Sequence, residues 1–161
     1  MEQLLYYCKK IFQMYILLVD NNLFYAAVLK ELMLKAGFNQ IEHLDSGFEC
    51  MIQLRKSEIP DVIIIDESQC YVNGVDVIKE ILTHNPNLTL IVLTGTESPV
   101  NVNFTPEKGS TICIAKDSVT AENLPQILYN IFTEKINFTK KSSSATAFSS
   151  FKRSFANMLN F

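Results

Sequence analysis

Residues 61–68 read DVIIIDES. Four consecutive β-branched residues, Val62 to Ile65, lead directly into two acids, Asp66 and Glu67. An uninterrupted apolar run of this kind is typical of a strand that is covered on both faces, as in a parallel sheet. A carboxylate at the end of such a strand either caps the turn that follows it or lies at a reaction site. The residues around the other apolar runs bear on which of these two uses applies to Asp66.

Similar apolar runs recur along the chain and alternate with helical patterns. Strands are predicted at five places, which are residues 15–19, 40–44, 61–65, 88–93 and 111–115. Apolar residues at helical spacing lie in four of the segments that join or follow these strands. Continuous apolar strands that alternate with helices predict an α/β fold, a doubly wound five-stranded parallel sheet with helices on both faces.

Local signals mark the ends of the first two helices. Gly37 follows the first apolar stripe in the position where glycine commonly ends a helix. Ser46 and Glu49 have the spacing of a capping box and are predicted to open the second helix.

Glycine and proline residues, which can interrupt a helix, lie in or beside the later helical segments. Gly74 is predicted to precede a helix that begins with Val75. Pro125 is tolerable in the last helix only if it lies in the first turn. Thr96–Gly109 holds two prolines, two asparagines and two valines, so a degenerate fourth helix, broken or very short, is expected there.

The chain of 161 residues is long enough for one globular domain with a short tail. We predict an N-terminal extension over residues 1–13, a domain over 14–136, and a Ser-rich linker with a short amphipathic segment over 137–161. The extension is either a short helix or sequence upstream of a start at Met14. The C-terminal segment is a docking peptide, a frayed tail or a helix that packs on its own domain.

Composition argues against several classes of function. The net charge of −3 gives no general attraction to nucleic acid or anionic lipid, and no stretch is long enough to span a bilayer. Four scattered cysteines without metal-ligand spacing predict reduced thiols in a cytoplasmic protein. The chain lacks nucleotide-binding glycine motifs, and Ser68 stands where a haloacid dehalogenase-type hydrolase needs a second Asp. His43 and His84 are predicted to be exposed to solvent.

Polar residues stand at the carboxyl ends of the predicted strands, where doubly wound folds bind ligands. Asp20 ends the first strand, Asp66 the third, Thr94 the fourth and Lys116 the fifth. These residue types suit phosphoryl transfer to a carboxylate, with Asp66 as the nucleophile that forms an acyl phosphate. Asp20 would help to hold a divalent cation, and Lys116 would neutralise phosphate charge. Thr94 would donate a hydrogen bond to a phosphoryl oxygen.

Four stretches of this sequence resemble the receiver domain of bacterial-type two-component response regulators, over about residues 14–133. They are YILLVDNN (15–22), DVIIIDESQCYVNG (61–74), LIVLTG (90–95) and ICIAK (112–116). The resemblance implies a flavodoxin-like sheet with strand order 2-1-3-4-5. It also implies that Asp66 is the phosphoacceptor, that Thr94 and Lys116 complete the site, and that Gly74 matches the family's glycine.

The resemblance further implies a magnesium site. Its ligands would be Asp20, Asn21, Asp66 and the backbone carbonyl of Ser68. The family usually has two acids at the end of the first strand, and Asn21 replaces the second. Because the site loses one negative charge, weaker Mg²⁺ binding is expected.

Other departures concern the switch that the family uses. Cys113 stands at the position of the switch aromatic, three residues before Lys116, and a thiol cannot reproduce the movement of a ring. Asp117 replaces a cis proline, so a trans bond is predicted after Lys116. Gln69 and Cys70 replace the family's Met-Pro.

The sequence thus predicts a phosphoacceptor protein of a two-component phosphorelay, and not an enzyme. The expected partners are a histidine kinase or phosphotransfer protein and an unknown output protein, with a homodimer left open and no nucleic acid or membrane. Too few residues follow the domain for an output domain, so output is expected through protein contact. The alternative is a degenerate receiver that binds a partner without phosphate, in which Asp66 is a relic or a cap.

Overall fold

Five parallel strands form one sheet in a computed structural model that describes residues 13–56, 58–95 and 111–140. In chain order the strands are β1 (Tyr15–Val19), β2 (Gln40–Leu44), β3 (Val62–Asp66), β4 (Tyr71–Val72), β5 (Val75–Asp76), β6 (Thr89–Thr94) and β7 (Thr111–Ala115). The helices are α1 (Leu23–Lys35), α2 (Gly47–Lys56), α3 (Val77–His84) and α4 (Ser118–Lys140). The large sheet has the order β2-β1-β3-β6-β7, which confirms the predicted fold and strand order.

The sheet separates two apolar cores, one on each face. Alternate residues of a strand point to opposite faces, so Ile16 and Leu18 of β1 join one core while Leu17 and Val19 join the other. The first core also contains buried residues of α1 and α4, and the second contains buried residues of α2 and α3. Burial on both faces is the reason why the central strands read as unbroken apolar runs.

The predicted capping box at the start of α2 forms in part. The hydroxyl of Ser46 accepts a hydrogen bond from the backbone N–H of Glu49 at 3.2 Å. The carboxylate of Glu49 accepts from the N–H of Asp45 at 3.1 Å, one residue before the position expected for a capping box. The helix therefore begins where the sequence predicted.

The segment after β3 contains a hairpin that the sequence reading missed. Strands β4 and β5 pair antiparallel across a two-residue turn, in which Asn73 and Gly74 have φ angles of 52° and 78°. Positive φ at both positions is the mark of a type I′ turn, for which Asn-Gly is a preferred sequence. The prediction that α3 begins with Val75 was therefore wrong. The helix begins at Val77, and Asp76 is its N-cap.

The expectation that Pro125 lies in the first turn of the last helix was also wrong. Helix α4 begins at Ser118, so Pro125 lies inside it. A proline in a helix interior costs about 3 kcal/mol. The helix continues through it because Leu124, Leu128 and Ile131 are buried in the core that α4 shares with α1.

Some predictions fall outside the described residues. They are the extension before residue 13, the degenerate helix predicted over residues 96–109 and the segment after Lys140. The domain boundaries at residues 14 and 136 stay predictions. Within the part of the chain that the structure describes, no helix combines the length and the apolar character needed to cross a bilayer.

Gly47, the first residue of α2, lies against the turn that follows β3. A Cβ at this position would lie 2.2 Å from the carbonyl oxygen of Gln69 and 3.0 Å from Cγ2 of Val77. Only a residue without a side chain allows this approach of the helix to the turn. At Gly95, in contrast, a Cβ would meet nothing within 4 Å.

We predict that Gly47→Ala lowers the free energy of unfolding by about 1–3 kcal/mol, because the turn or the helix must shift to admit the methyl group. Gly95→Ala is the matched control and is expected to change it by less than about 0.5 kcal/mol. Urea denaturation of the three proteins measures both values. Equal stability of the two variants would contradict the close contact at Gly47.

Candidate functional site

The sheet brings the four strand-end residues together at its carboxyl edge. Asp20 follows β1, Asp66 is the last residue of β3, Thr94 is the last of β6, and Lys116 follows β7. The parallel register aligns the neighbouring strand ends, since Asp66 pairs with Leu93 and Thr94 lies beside the end of β7. The backbone N–H of Lys116 donates to the carbonyl of Thr94 at 2.7 Å, which extends the last ladder by one bond.

The ammonium group of Lys116 bridges the two carboxylates. Its Nζ lies 2.6 Å from Oδ2 of Asp20 and 2.6 Å from Oδ2 of Asp66. Both aspartates are buried, and Asp20 has no exposed surface. Buried carboxylates require a cation or hydrogen-bond donors to remain charged, and Lys116 supplies the cation for both.

Backbone and hydroxyl groups bind the remaining carboxylate oxygens. Oδ1 of Asp20 accepts from the N–H of Asn22 at 2.8 Å. Oδ1 of Asp66 accepts from the N–H of Ser68 at 2.9 Å and from the Ser68 hydroxyl. Asp66 is also the N-cap of a single 3-10 turn, Glu67–Gln69. The carboxylate of Asp66 therefore caps a turn and faces Lys116 at the same time.

Thr94 lies at the same edge of the sheet, but its hydroxyl group is hydrogen-bonded to the neighbouring strand. Its side chain is buried, and its hydroxyl donates to the carbonyl of Ile114 on the neighbouring strand at 3.4 Å. The hydroxyl must leave this carbonyl before it can serve a phosphoryl oxygen. The role given to Thr94 from the sequence therefore stays a prediction.

Burial and hydrogen bonds act in opposite directions on the pKa values of the site. Burial raises the pKa of Asp66, but the bonds from Lys116 and Ser68 outweigh it and hold the pKa below its ordinary value of 3.8. Burial lowers the pKa of Lys116, but the bonds to Asp20 and Asp66 outweigh it and raise the pKa above 10.5. Asp66 is therefore ionised and Lys116 is protonated at neutral pH.

Two residues at the site were not found from the sequence. The ring of Tyr25 lies under Lys116, with 4.6 Å from Nζ to the ring centroid. Nε2 of His43 lies 2.8 Å from the carbonyl oxygen of Asp20, and because a carbonyl only accepts, Nε2 carries the hydrogen. The predicted solvent exposure of His43 was wrong, since its side chain is 21% exposed, whereas His84 is exposed as predicted.

Three residues that depart from the family pattern lie in or after the strands that carry Asp66 and Lys116. Cys113 is half-buried in β7, and the bond between Lys116 and Asp117 is trans, as predicted. The thiol of Cys70 donates to the carbonyl of Asp66 at 3.5 Å. Burial, with the charge of Asp66, raises the pKa of Cys70 to about 12, so this thiol remains protonated.

The residues at this edge offer ligand atoms of the type that binds a magnesium ion. They carry one carboxylate fewer than the family pattern. Asp20, Asn21, Asp66 and the Ser68 carbonyl offer the hard oxygen atoms that Mg²⁺ prefers. Asp20 and Asp66 contribute two carboxylates, with an amide in place of the third. Among the described residues, no group of three or more His, Cys, Asp or Glu side chains is placed to hold a metal.

Exposed apolar side chains flank the site on the elements that begin at this edge. Leu23 and Phe24, in the first turn of α1, are 65% and 80% exposed. Phe48 at the start of α2 and Tyr71 in β4 are exposed as well. Apolar side chains this exposed are available for contact with another protein.

Comparisons with known proteins agree on one family. The family model described as the response regulator receiver domain matches residues 16–129. The chemotaxis protein CheY of Thermotoga maritima is 32% identical over 77 residues, which are 48% of this chain and 63% of that protein. The match thus covers less than two thirds of that relative's length.

Solved structures share the fold. A response regulator receiver domain protein from Clostridium thermocellum is 25% identical with a TM-score of 0.60, covering 78% of this chain and 98% of that one. The response regulator domain of Thermotoga maritima CheB is 21% identical with a TM-score of 0.57, covering 78% of this chain and 97% of that one.

Lys116→Met tests the bridge between the carboxylates. We expect the free energy of unfolding to fall by about 2–4 kcal/mol at pH 7, because two buried carboxylates lose their cation. Lys35→Met is the matched control and should change it by less than about 0.5 kcal/mol, since Lys35 pairs with Glu31 on the exposed surface. Urea denaturation measures both variants.

The same variant tests the sign of the pKa shift. The stability that ionised Asp66 contributes is present above pH 3.8 and is lost as the pH falls through its lowered folded pKa. Without Lys116, the pKa of Asp66 in the folded protein should rise, so the stability that is lost when Asp66 is protonated at acid pH should become smaller. Carboxyl ¹³C titration of Asp66 checks this, and an unchanged titration would contradict the bridge.

Proposed function

Since this chain belongs to the response regulator receiver domain family, we propose that Asp66 accepts a phosphoryl group from a phosphohistidine of another protein. The observation that carries the proposal is the double contact of Lys116, whose Nζ lies 2.6 Å from an oxygen of Asp20 and 2.6 Å from an oxygen of Asp66. An ionised carboxylate with a cation beside it at a strand end suits nucleophilic attack on phosphorus and the charge that follows.

The reaction is a transfer between two proteins. A carboxylate oxygen of Asp66 attacks phosphorus, the P–N bond to the imidazole breaks, and the imidazole takes up a proton. The product on Asp66 is an acyl phosphate. Lys116 then neutralises charge on the phosphoryl oxygens, and the Thr94 hydroxyl exchanges the carbonyl of Ile114 for one of these oxygens.

Magnesium is the cofactor that we propose for the transfer. Asp20, Asn21, Asp66 and the carbonyl of Ser68 would hold the ion, and its positive charge would reduce repulsion between Asp66 and the incoming phosphoryl group. The neutral amide of Asn21 leaves the site with two carboxylates. We therefore propose weak magnesium binding.

The proposed donor is a histidine kinase or phosphotransfer protein, and the proposed output is contact with a further protein. Asp66 is buried at the carboxyl edge of the sheet, so a protein that brings a phosphohistidine to it must approach over the surface around that edge. Leu23 and Phe24, in the first turn of α1, are the most exposed of the apolar residues named above apart from Tyr71. A small donor such as acetyl phosphate needs no such contact.

The geometry does not favour a phosphate-independent interaction module. Such a module would have no need for two buried carboxylates held by one lysine, and an unneeded buried ionic group is costly to maintain. Asn21, Cys113 and Asp117 instead distinguish this site from the family pattern without removing the nucleophile or its cation.

A titration with beryllofluoride and Mg²⁺, followed by amide NMR, tests the phosphoacceptor role. We expect saturable shifts around Asp20, Asp66, Thr94 and Lys116, because beryllofluoride mimics a phosphoryl group on a carboxylate. The shifts should vanish in Asp66→Asn, which retains the volume of the side chain but not its charge. An absence of shifts in the wild-type protein at millimolar Mg²⁺ would defeat the proposal.

Phe24→Ser separates a protein donor from a small one. We expect phosphorylation by acetyl phosphate to proceed at the wild-type rate, and transfer from a histidine-phosphorylated protein to slow by about tenfold, as for loss of an apolar interface residue. Leu34→Ser is the control, because Leu34 is also exposed but lies at the other end of α1. Equal effects of both variants on transfer would show that Phe24 is not a donor contact.

A further inference from the structure

The position of Lys116 depends on more than its two ionic contacts. A lysine ammonium is a compact charge on a flexible four-carbon stem, so its place is set by what surrounds it. Two directions around Nζ are taken by Asp20 and Asp66, each at 2.6 Å. The ring of Tyr25 occupies a third, with its centroid 4.6 Å from Nζ. The side chain of Lys116 is 19% exposed to solvent.

Tyr25 is itself fixed by the residues at the start of α1. The side-chain oxygen of Asn22 caps the helix by accepting from the N–H of Tyr25 at 3.0 Å. The N–H of Asn22 donates to Oδ1 of Asp20 at 2.8 Å. These contacts link Asp20 to Asn22, Asn22 to Tyr25 and Tyr25 to Lys116. Because Lys116 also contacts Asp20, the four residues form a closed network.

The hydroxyl of Tyr25 gives no reason for a tyrosine at this position. Its oxygen is buried and has no hydrogen-bond partner among the described residues. Burial raises the pKa of this phenol more than the nearby Lys116 lowers it, so it stays neutral. A buried hydroxyl without a partner destabilises a protein. The useful part of the side chain at this site is therefore the face of its ring.

We propose that Tyr25 is a positioning residue, whose ring face holds the ammonium group of Lys116 at the phosphoacceptor carboxylate. A cation over an aromatic face is attracted by the negative centre of the ring, and the attraction is strongest where water is excluded. The ring also blocks the stem of Lys116 from turning outward to solvent. The effect on phosphoryl binding rests on the proposed function, whereas the effect on Lys116 itself does not.

A purely structural role would have different consequences. Tyr25 also packs against the apolar core between the sheet and α1, and so does Leu32, two turns further along the same helix. If Tyr25 only fills space, its loss should resemble the loss of Leu32. If it positions Lys116, its loss should change the lysine and its ligand, and phenylalanine should replace it fully.

The first measurement is the solvent exchange of the ammonium protons of Lys116 in the full chain without ligand, read from the ¹⁵Nζ–¹Hζ NMR signal, which is assigned by its disappearance in Lys116→Met. Exchange is slow for an ammonium group that is held at carboxylates and shielded from water, and fast for a lysine that turns outward. We expect the slowly exchanging signal in the wild type, in Tyr25→Phe and in Leu32→Ala. In Tyr25→Leu the exchange should be as fast as in exposed lysines.

The second measurement is the affinity for beryllofluoride in the presence of Mg²⁺. Tyr25→Phe should bind within about twofold of the wild type, and Tyr25→Leu about five- to tenfold more weakly, the size expected for loss of a partly desolvated cation–π contact. Leu32→Ala should lower the unfolding midpoint and leave the affinity unchanged.

The outcomes separate the two proposals. If the wild type does not bind beryllofluoride, the proposed function fails, and the Lys116 signal alone decides whether Tyr25 holds the lysine. A wild-type Lys116 signal in Tyr25→Leu would overturn the inference about Tyr25. So would a failure of Tyr25→Phe to preserve the signal, or an equal loss of affinity in Leu32→Ala.

Discussion

A single ammonium group between two buried carboxylates is the interaction on which this site depends. Asp20 and Asp66 stand at the ends of two neighbouring central strands, and Lys116 reaches them from the end of β7, on the far side of β6. Removing the cation would leave two like charges in a place that excludes water, which is costly at low dielectric. The parallel register brings that nitrogen atom to both carboxylates, and the ring of Tyr25 lies against it.

The charge of the site follows from this arrangement. Two carboxylates and one ammonium leave one negative charge among Asp20, Asp66 and Lys116. A third carboxylate at Asn21 would make it two, and would attract a divalent cation more strongly. With asparagine at position 21, the proposed magnesium site has two carboxylates, and both of them contact Lys116.

The sequence was sufficient for the sheet and for the strand-end residues, because both follow from short-range patterns. Apolar runs covered on two faces revealed the strands, and parallel strands necessarily collect their carboxyl ends at one edge. Tyr25 and His43 could not be found in this way, since their contacts depend on how a helix is rotated and how an edge strand is paired. The Asn-Gly turn did carry a readable hairpin signal, whereas Pro125 was misjudged because core packing overrode local propensity.

The glycine at the start of α2 has a mechanical consequence. Because a Cβ at Gly47 would overlap the Gln69 carbonyl oxygen, no side chain can separate the helix from the turn that Asp66 caps. Close-packed groups of this kind transmit displacement instead of absorbing it. A rearrangement of that turn would therefore displace the start of α2, which packs on the face of the sheet opposite to α1 and α4.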